Sequence, residues 1–301
     1  MVIKLNLNEE WIKRIDEIIA AFLPEEEGFP KPLYEAMNYS MKTGGKRIRP
    51  ILLQETFKLF SAENDEVCHA MMAAIEMIHT YSLVHDDLPA MDNDEYRRGQ
   101  KTTHIVYGEA MAILAGDGLL NLAYETAIKV LNTADTVMLT RGVKALKILA
   151  EKAGCKGMIG GQTADILAED GLLEPSDELL YFIHGHKTAA LIQSAMMIGG
   201  ILAGADDENI AKLAKAAYNI GVAFQLQDDI LDVTGNFQDL GKPIGSDAEN
   251  HKLTGVIMKG LAEAHKEVSA LSIEAIEILN SFPRQNEFLV KLVESLICRK
   301  K

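Results

Sequence analysis

Cysteine is scarce in this chain: Cys68, Cys155 and Cys298 lie far apart, with no CxxC pair and no even-numbered set. That excludes a disulfide framework and fits reduced packing thiols in a cytosolic compartment. Long apolar runs are also missing. The most membrane-like stretch, Thr188 to Gly204, falls short of the roughly 20 apolar residues a spanning helix needs and carries Gln193, Ser194 and two adjacent glycines. It reads as a buried core helix, with no integral membrane span expected. The start, MVIKLNLNEEW, has no apolar run ending in a small-residue cleavage site, so no signal peptide is expected and the mature protein should begin near Met1. Positive charge is in deficit, 30 Lys and Arg against 44 Asp and Glu. A nonspecific grip on nucleic acid or anionic membrane is disfavoured, and any local basic cluster becomes informative.

What is present is enough apolar material for a large core, 48% of 301 residues. Apolar residues recur at helical spacing almost throughout: Trp11, Ile12, Ile15, Ile18, Ile19 and Phe22 form one stripe behind Asn8 as a candidate cap. No period-two strand stands out, so the chain is expected to be all-α. Pro50 should begin one helix, where its missing N–H costs little, and another should run from Asp65 until Pro89 stops it. Later helices are expected over Gly108 to Leu131, Asp135 to Lys152, Asp177 to Leu202, Asp207 to Val233 and Asn286 to Arg299. No Ser- or Pro-rich linker divides the sequence, which is expected to form one domain over 1–301. The longest irregular stretch, Thr234 to Lys252, has the length of a functional lid or binding segment.

Two acidic clusters carry the chemistry. The first is Asp86, Asp87 and Asp92 in HDDLPAMDNDEYRRG, followed by Arg97 and Arg98; the second is Asp228, Asp229 and Asp232 in QLQDDILD. Adjacent carboxylates repel, so their placement at the end of apolar helices makes sense if hard cations neutralise them, and oxygen ligands suit Mg²⁺. Asp228 and Asp232 are four apart and share one helical face. Because Mg²⁺ takes one or two carboxylates plus waters and substrate phosphates, two sparse motifs imply a diphosphate ligand. An EF-hand reading of Asp92, Asn93 and Asp94 fails, since the sixth loop position is Arg97 where a Gly is needed. The informative basic cluster is GGKRIRP, which sets Lys46, Arg47 and Arg49 behind two glycines and is a candidate site for a second diphosphate. His79 lies seven residues before Asp86, on roughly the same helical face. A substrate held by basic side chains alone differs from one held through magnesium, so two differently bound diphosphate substrates are implied.

With GGKRIRP, HDDLPAMDNDEYRRG, GHKTAAL, FQLQDDILD and GKPIGSD in that order, the chain resembles the trans-isoprenyl diphosphate synthase family over essentially its whole length. The resemblance implies one bundle of antiparallel helices around a central apolar cavity. It implies Mg²⁺, three ions with the allylic diphosphate bound, held by Asp86, Asp92 and Asp228, with Asp87, Asp229 and Asp232 completing the two acidic faces. Arg97, Lys187 and Lys242 would contact the allylic diphosphate; Lys46, Arg49, His79 and Arg98 would hold isopentenyl diphosphate; Thr188, Gln225 and Lys252 would assist. Tyr81, roughly 7.5 Å down the helix from Asp86, would form the floor beneath the growing tail, and with the two extra residues inside the first motif it resembles the bacterial farnesyl type. A cytoplasmic homodimer is implied as well.

The expected reaction is loss of diphosphate from the allylic carbon, attack by the isopentenyl double bond, and removal of a proton, with the departed diphosphate as its acceptor. Charge separation is the hard step, and electrostatic and Lewis-acid stabilisation of the leaving group answers it without a protein nucleophile. A geranyl or geranylgeranyl product is the nearest alternative. A terpene cyclase would need no second diphosphate site, and a non-catalytic partner subunit could lose acidic residues freely, whereas all six stand here.

Overall fold

A computed structural model describes residues 9–61, 66–234 and 252–297. The candidate Asn8 cap, Cys298 and most of the irregular stretch before Lys252, Lys242 included, lie outside them. Within the described residues the chain is all-α apart from one hairpin, and it divides into two compact units. An early unit is drawn from Asn6–Gln54 and Glu63–Leu146, and a late unit from Glu55–Ala62 and Lys147–Lys301.

In the early unit, α1 (Glu9–Ala20) and α2 (Lys31–Lys42) pack against α4 (Glu66–Asp86), and α4 lies along α6 (Glu109–Leu131). Helix α1 buries Ile15 and Ile19 from its predicted stripe. Helix α4 has no polar face over its middle: Met71 to Ile75, Met77 and Ile78 are all fully buried, as expected of a helix apolar on every side. It is also the described helix long and apolar enough to cross a membrane, but 78% of that window is buried within the protein. The sequence had placed the most membrane-like stretch later, at Thr188 to Gly204. Close approach of α4 and α6 rests on Gly116, where an added Cβ would stand 2.1 Å from Nε2 of His85.

Helix α3 (Ile48–Phe57) begins two residues before Pro50, so the proline occupies the first turn, not the first position. The first α3 hydrogen bond runs from the Ile51 N–H to the Arg47 carbonyl. The all-α expectation holds, with one short addition. Strands β1 (Tyr96–Arg97) and β2 (Gln100–Lys101) form a short antiparallel hairpin too brief to leave a period-two pattern. Arg98 and Gly99 make its turn with φ of 55° and 78°, the pair of left-handed residues that a type I′ turn requires. A short helix, α5 (Thr103–Tyr107), follows before α6.

Helix α7 (Thr136–Ala153) starts one residue after the expected Asp135, which caps it instead: its Oδ1 accepts from the Met138 N–H at 2.8 Å. The late unit continues with α8 (Met158–Glu169) and α9 (Asp177–Ile183), then α10 (Ala189–Ala203) packed on α11 (Asp207–Thr234). The end of the unit comprises α12 (Gly255–Lys259), α13 (Leu261–Asn280), which lies along α11, and α14 (Glu287–Ile297). The single helix expected over Asp177 to Leu202 is interrupted: His184–Thr188 form a π-helical turn between α9 and α10. Two glycines fit around that turn. A Cβ on Gly161 of α8 would lie 2.1 Å from the Lys187 backbone nitrogen, and one on Gly221 of α11 would lie 2.4 Å from Cα of Ala189. Cys68 is buried, but Cys155 is exposed and is not the packing residue expected.

Candidate active site

The first acidic motif closes α4. Asp86 is its last residue, and Asp87 follows, 4% exposed. The two extra residues fold into a tight turn in which the Asp92 N–H donates to the Asp86 carbonyl at 2.8 Å and the Asn93 N–H to Leu88 at 3.1 Å. Asp86 and the exposed Asp92 are thereby joined through their backbones. Asp87 instead accepts from Nε of Arg97 at 2.6 Å, with Nη2 of the same guanidinium at 2.5 Å. Burial pushes the Asp87 carboxyl up from its ordinary range and outweighs the opposing pull of Arg97.

The adjacent arginines diverge. Arg97 turns to Asp87, whereas Arg98, inside the left-handed turn, reaches the Gly44 carbonyl. Gly44 and Gly45 have φ of 86° and 143°, and a Cβ on Gly45 would meet Nη1 of Arg98 at 2.4 Å. Glycine is therefore needed there both for its backbone and for the space the guanidinium fills. Arg49, His79 and Arg98 face one another electrostatically. Burial, then Arg49, Arg98, Arg97 and Arg47 in turn, hold His79 well below its ordinary value, so it is neutral at physiological pH. Burial lowers Arg49 to about 10, with Glu76 opposing and Arg98 adding. Nε of Arg49 is buried with no hydrogen-bond partner, as expected of a donor awaiting an anion. Lys46, three residues before Arg49, is exposed. The third cation of GGKRIRP departs from the sequence reading: Arg47 is 4% exposed and points inward. Next to the arginines, Ser40, Thr43, Thr80, Thr102 and Thr103 line a hydroxyl-rich pocket with Asp87, Arg97 and Arg98.

In the late unit the second motif splits by exposure along α11. Asp228 and Asp232 are half-buried on one face, while Asp229 is 3% exposed on another. Oδ2 of Asp229 accepts from the Gly255 N–H at 2.7 Å and lies 3.6 Å from Nε2 of His184. Its Oδ1 accepts from Nε2 of Gln225 at 3.3 Å, and Oε1 of Gln225 accepts from the Thr188 hydroxyl at 2.9 Å. Thr188 and Gln225 thus connect the π turn to the acidic helix. Lys187, in that turn, is ion-paired with Asp165 of α8, and Lys252 stands 3.7 Å from Glu169. Burial drives His184 down to about 4, with Asp165 opposing.

Tyr81 is 6% exposed on α4, its ring edge-on to His85 with centroids 5.8 Å apart. Its hydroxyl has no hydrogen-bond partner, and burial first, then Tyr124 and Asp86, push it up to about 12.

Among the described residues, no three His, Cys, Asp or Glu side chains cluster closely enough to hold an ion unaided. Asp86 and Asp92 in the early unit, and Asp228 in the late one, each offer hard carboxylate oxygens, the donor type that suits an ion completing its shell with water and phosphate oxygens. The polyprenyl synthetase family model matches residues 30–293. The chain belongs to the polyprenyl synthetase family. A farnesyl diphosphate synthase of Geobacillus stearothermophilus is 42% identical over 271 residues, covering 90% of this chain and 89% of that protein. A geranylgeranyl diphosphate synthase of Cyanophora paradoxa is 41% identical over 274 residues, covering 90% and 89%. Among solved structures, an FPP/GFPP synthase from Zymomonas mobilis superposes with a TM-score of 0.82 at 32% identity, covering 96% of each chain. A geranyltransferase from Helicobacter pylori, complexed with magnesium and isoprenyl diphosphate, gives 0.81 at 31%, covering 95% of this chain and 93% of that one.

Sequence reasoning passed over Glu76, Asp165 and His184, buried at 2%, 7% and 3% exposure beside the predicted residues. The signal was available in part: Glu76 interrupts the apolar run AMMAAIEMI, and a lone carboxylate in a buried helix needs a partner.

Proposed function

We propose that this protein condenses dimethylallyl and geranyl diphosphate head-to-tail with isopentenyl diphosphate, forming farnesyl diphosphate and releasing diphosphate. The observation that carries this reading is the presence of two anion sites of different chemistry. Lys46, Arg49, His79 and Arg98 make a metal-free cradle for isopentenyl diphosphate, while Asp86, Asp92 and Asp228 are carboxylates for a magnesium-bound allylic diphosphate. A donor such as Arg49 Nε, buried without a partner, supports the cradle. Magnesium, three ions with the allylic substrate bound, supplies Lewis-acid stabilisation of the departing diphosphate.

Arg97 and Lys187 take up the negative charge that develops on the leaving group as the allylic carbon–oxygen bond breaks. Both are ion-paired here, with Asp87 and Asp165, so a carboxylate partner fixes the position of each charged end. Lys242 and Lys252 add positive charge, and Thr188 and Gln225 steady the π turn. The isopentenyl double bond attacks the freed carbon, a carbon–carbon bond forms, and the proton released goes to the diphosphate. Asp87, Asp229 and Asp232 support the acidic motifs, and Tyr81 ends the tail pocket at fifteen carbons.

The protein works as a cytoplasmic homodimer in this reading, supported by exposed Ile113, Leu114 and Ile128 on α6 and by the low cysteine content. Incubation with radiolabelled isopentenyl diphosphate, either allylic starter and Mg²⁺, with and without EDTA, tests the assignment. A metal-dependent C15 product is expected, and no condensation by folded protein would overturn it.

A further inference from the structure

Arg47 sits in the middle of the basic motif, yet its side chain turns away from the cradle. Its Nε donates to Oδ1 of Asp16 at 2.7 Å, Nη1 to Oε1 of Glu76 at 2.9 Å, and Nη2 to the Met41 carbonyl at 2.5 Å. One guanidinium therefore ties α1, α2 and α4 to the residue just before α3. The backbone of Arg47 is left-handed, with φ of 47°. A non-glycine residue keeps such a conformation only where its surroundings over-determine it, and these three bonds do so.

Glu76 is the other half of the device. It is 2% exposed and stands one helical turn before His79 on α4. Its charge also attracts Arg49 and Arg98, so one buried carboxylate draws on both of these cations as well as on Arg47.

We infer that the buried Arg47–Glu76 pair positions the isopentenyl diphosphate cradle: it holds the left-handed turn that aims Lys46 and Arg49 at the point His79 and Arg98 share. Arg47 touches no substrate in this account and acts through its neighbours. The inference rests on the functional reading above and assigns separate work to adjacent residues of one motif.

Arg47→Lys keeps the charge but cannot make three separated bonds, and Glu76→Gln keeps size and an acceptor while removing the charge. Each should raise KM for isopentenyl diphosphate at least tenfold, with KM for geranyl diphosphate unchanged within twofold. Arg47→Met combined with Glu76→Met replaces the pair by apolar side chains; thermal stability should return towards wild type while KM for isopentenyl diphosphate stays high. Recovery of that KM in the double variant, or equal rises in both KM values in the single variants, would overturn the inference. Calorimetric titration with isopentenyl diphosphate accompanies the kinetics. Absence of wild-type turnover would defeat the functional reading, whereas equal affinity of wild type and folded Arg47→Lys would defeat this one.

Discussion

Gly161→Ala introduces the smallest possible side chain at the place where α8 meets the π turn. The new Cβ would lie 2.1 Å from the Lys187 nitrogen, 2.6 Å from the His186 carbonyl carbon and 2.8 Å from Cα of Lys187. All three are backbone atoms, so no flexible side-chain end can move aside. Restoring the 3.4 Å at which ordinary contact begins requires separation from 2.1 Å, a shift of about 1.3 Å. Overpacking of this kind costs about 1–3 kcal/mol, and a misplacement near 1 Å costs on the order of 10²-fold in rate. Lys187 moves with its backbone and leaves Asp165, so kcat should fall about 100-fold while the melting temperature drops by only a few degrees, on the order of 3 °C for 2 kcal/mol. Steady-state condensation kinetics beside thermal unfolding by circular dichroism measure both. Wild-type kcat in Gly161→Ala would refute the claim that the π turn's position sets the rate.

Tyr81→Ala should shift the product from C15 towards C20 and longer, read by chromatography of the dephosphorylated products; an unchanged distribution from folded protein would count against the floor. Asp228→Asn and Asp229→Asn should separate. The first should cost about 10²–10³ in kcat with an increased magnesium requirement, and the second should lose about 1–3 kcal/mol of stability, because the Gly255 N–H and Gln225 lose a charged acceptor. Acid should also destabilise the protein through His184. Its folded value near 4 lies below the ordinary 6.5, so between those values the unfolded chain binds a proton the folded chain does not. Stability is complete above pH of about 6.5 and falls as pH drops towards about 4, by up to roughly 3 kcal/mol. Urea melts of wild type and His184→Gln across this range should show a shallower slope in the variant.

Much of the site could be read from residue spacing because its chemistry is local. Asp228 and Asp232 share a face through the helical repeat alone, and GGKRIRP gathers its cations within a few bonds. What spacing could not supply was the direction of each side chain once tertiary partners exist. Arg47 looks like Lys46 and Arg49 in a string of letters, but only Asp16, Met41 and Glu76, brought in from other helices, turn it inward. The repeat sets Asp229 off the face of Asp228, but its partners, the Gly255 N–H and His184, come from other elements and could not be named from spacing. The interruption at His184–Thr188 had no compositional mark, since GHKTAAL contains no proline and its glycine reads as ordinary packing. Backbone contact with Gly161 and Gly221 locates that break in space.

The Arg98–Gly99 turn acts as a length gauge. Successive residues of a helix diverge by about 100°; here the strand end and the left-handed turn set the directions instead, sending Arg97 to Asp87 and Arg98 to Gly44. Pairing of Tyr96 with Lys101 and of Arg97 with Gln100 leaves room for two residues and no more. Substitutions in the exposed strand residues Tyr96, Gln100 and Lys101 should be absorbed, but a single insertion or deletion between Arg97 and Gln100 would change which arginine faces which partner. This stretch therefore tolerates spelling changes and forbids changes of word length.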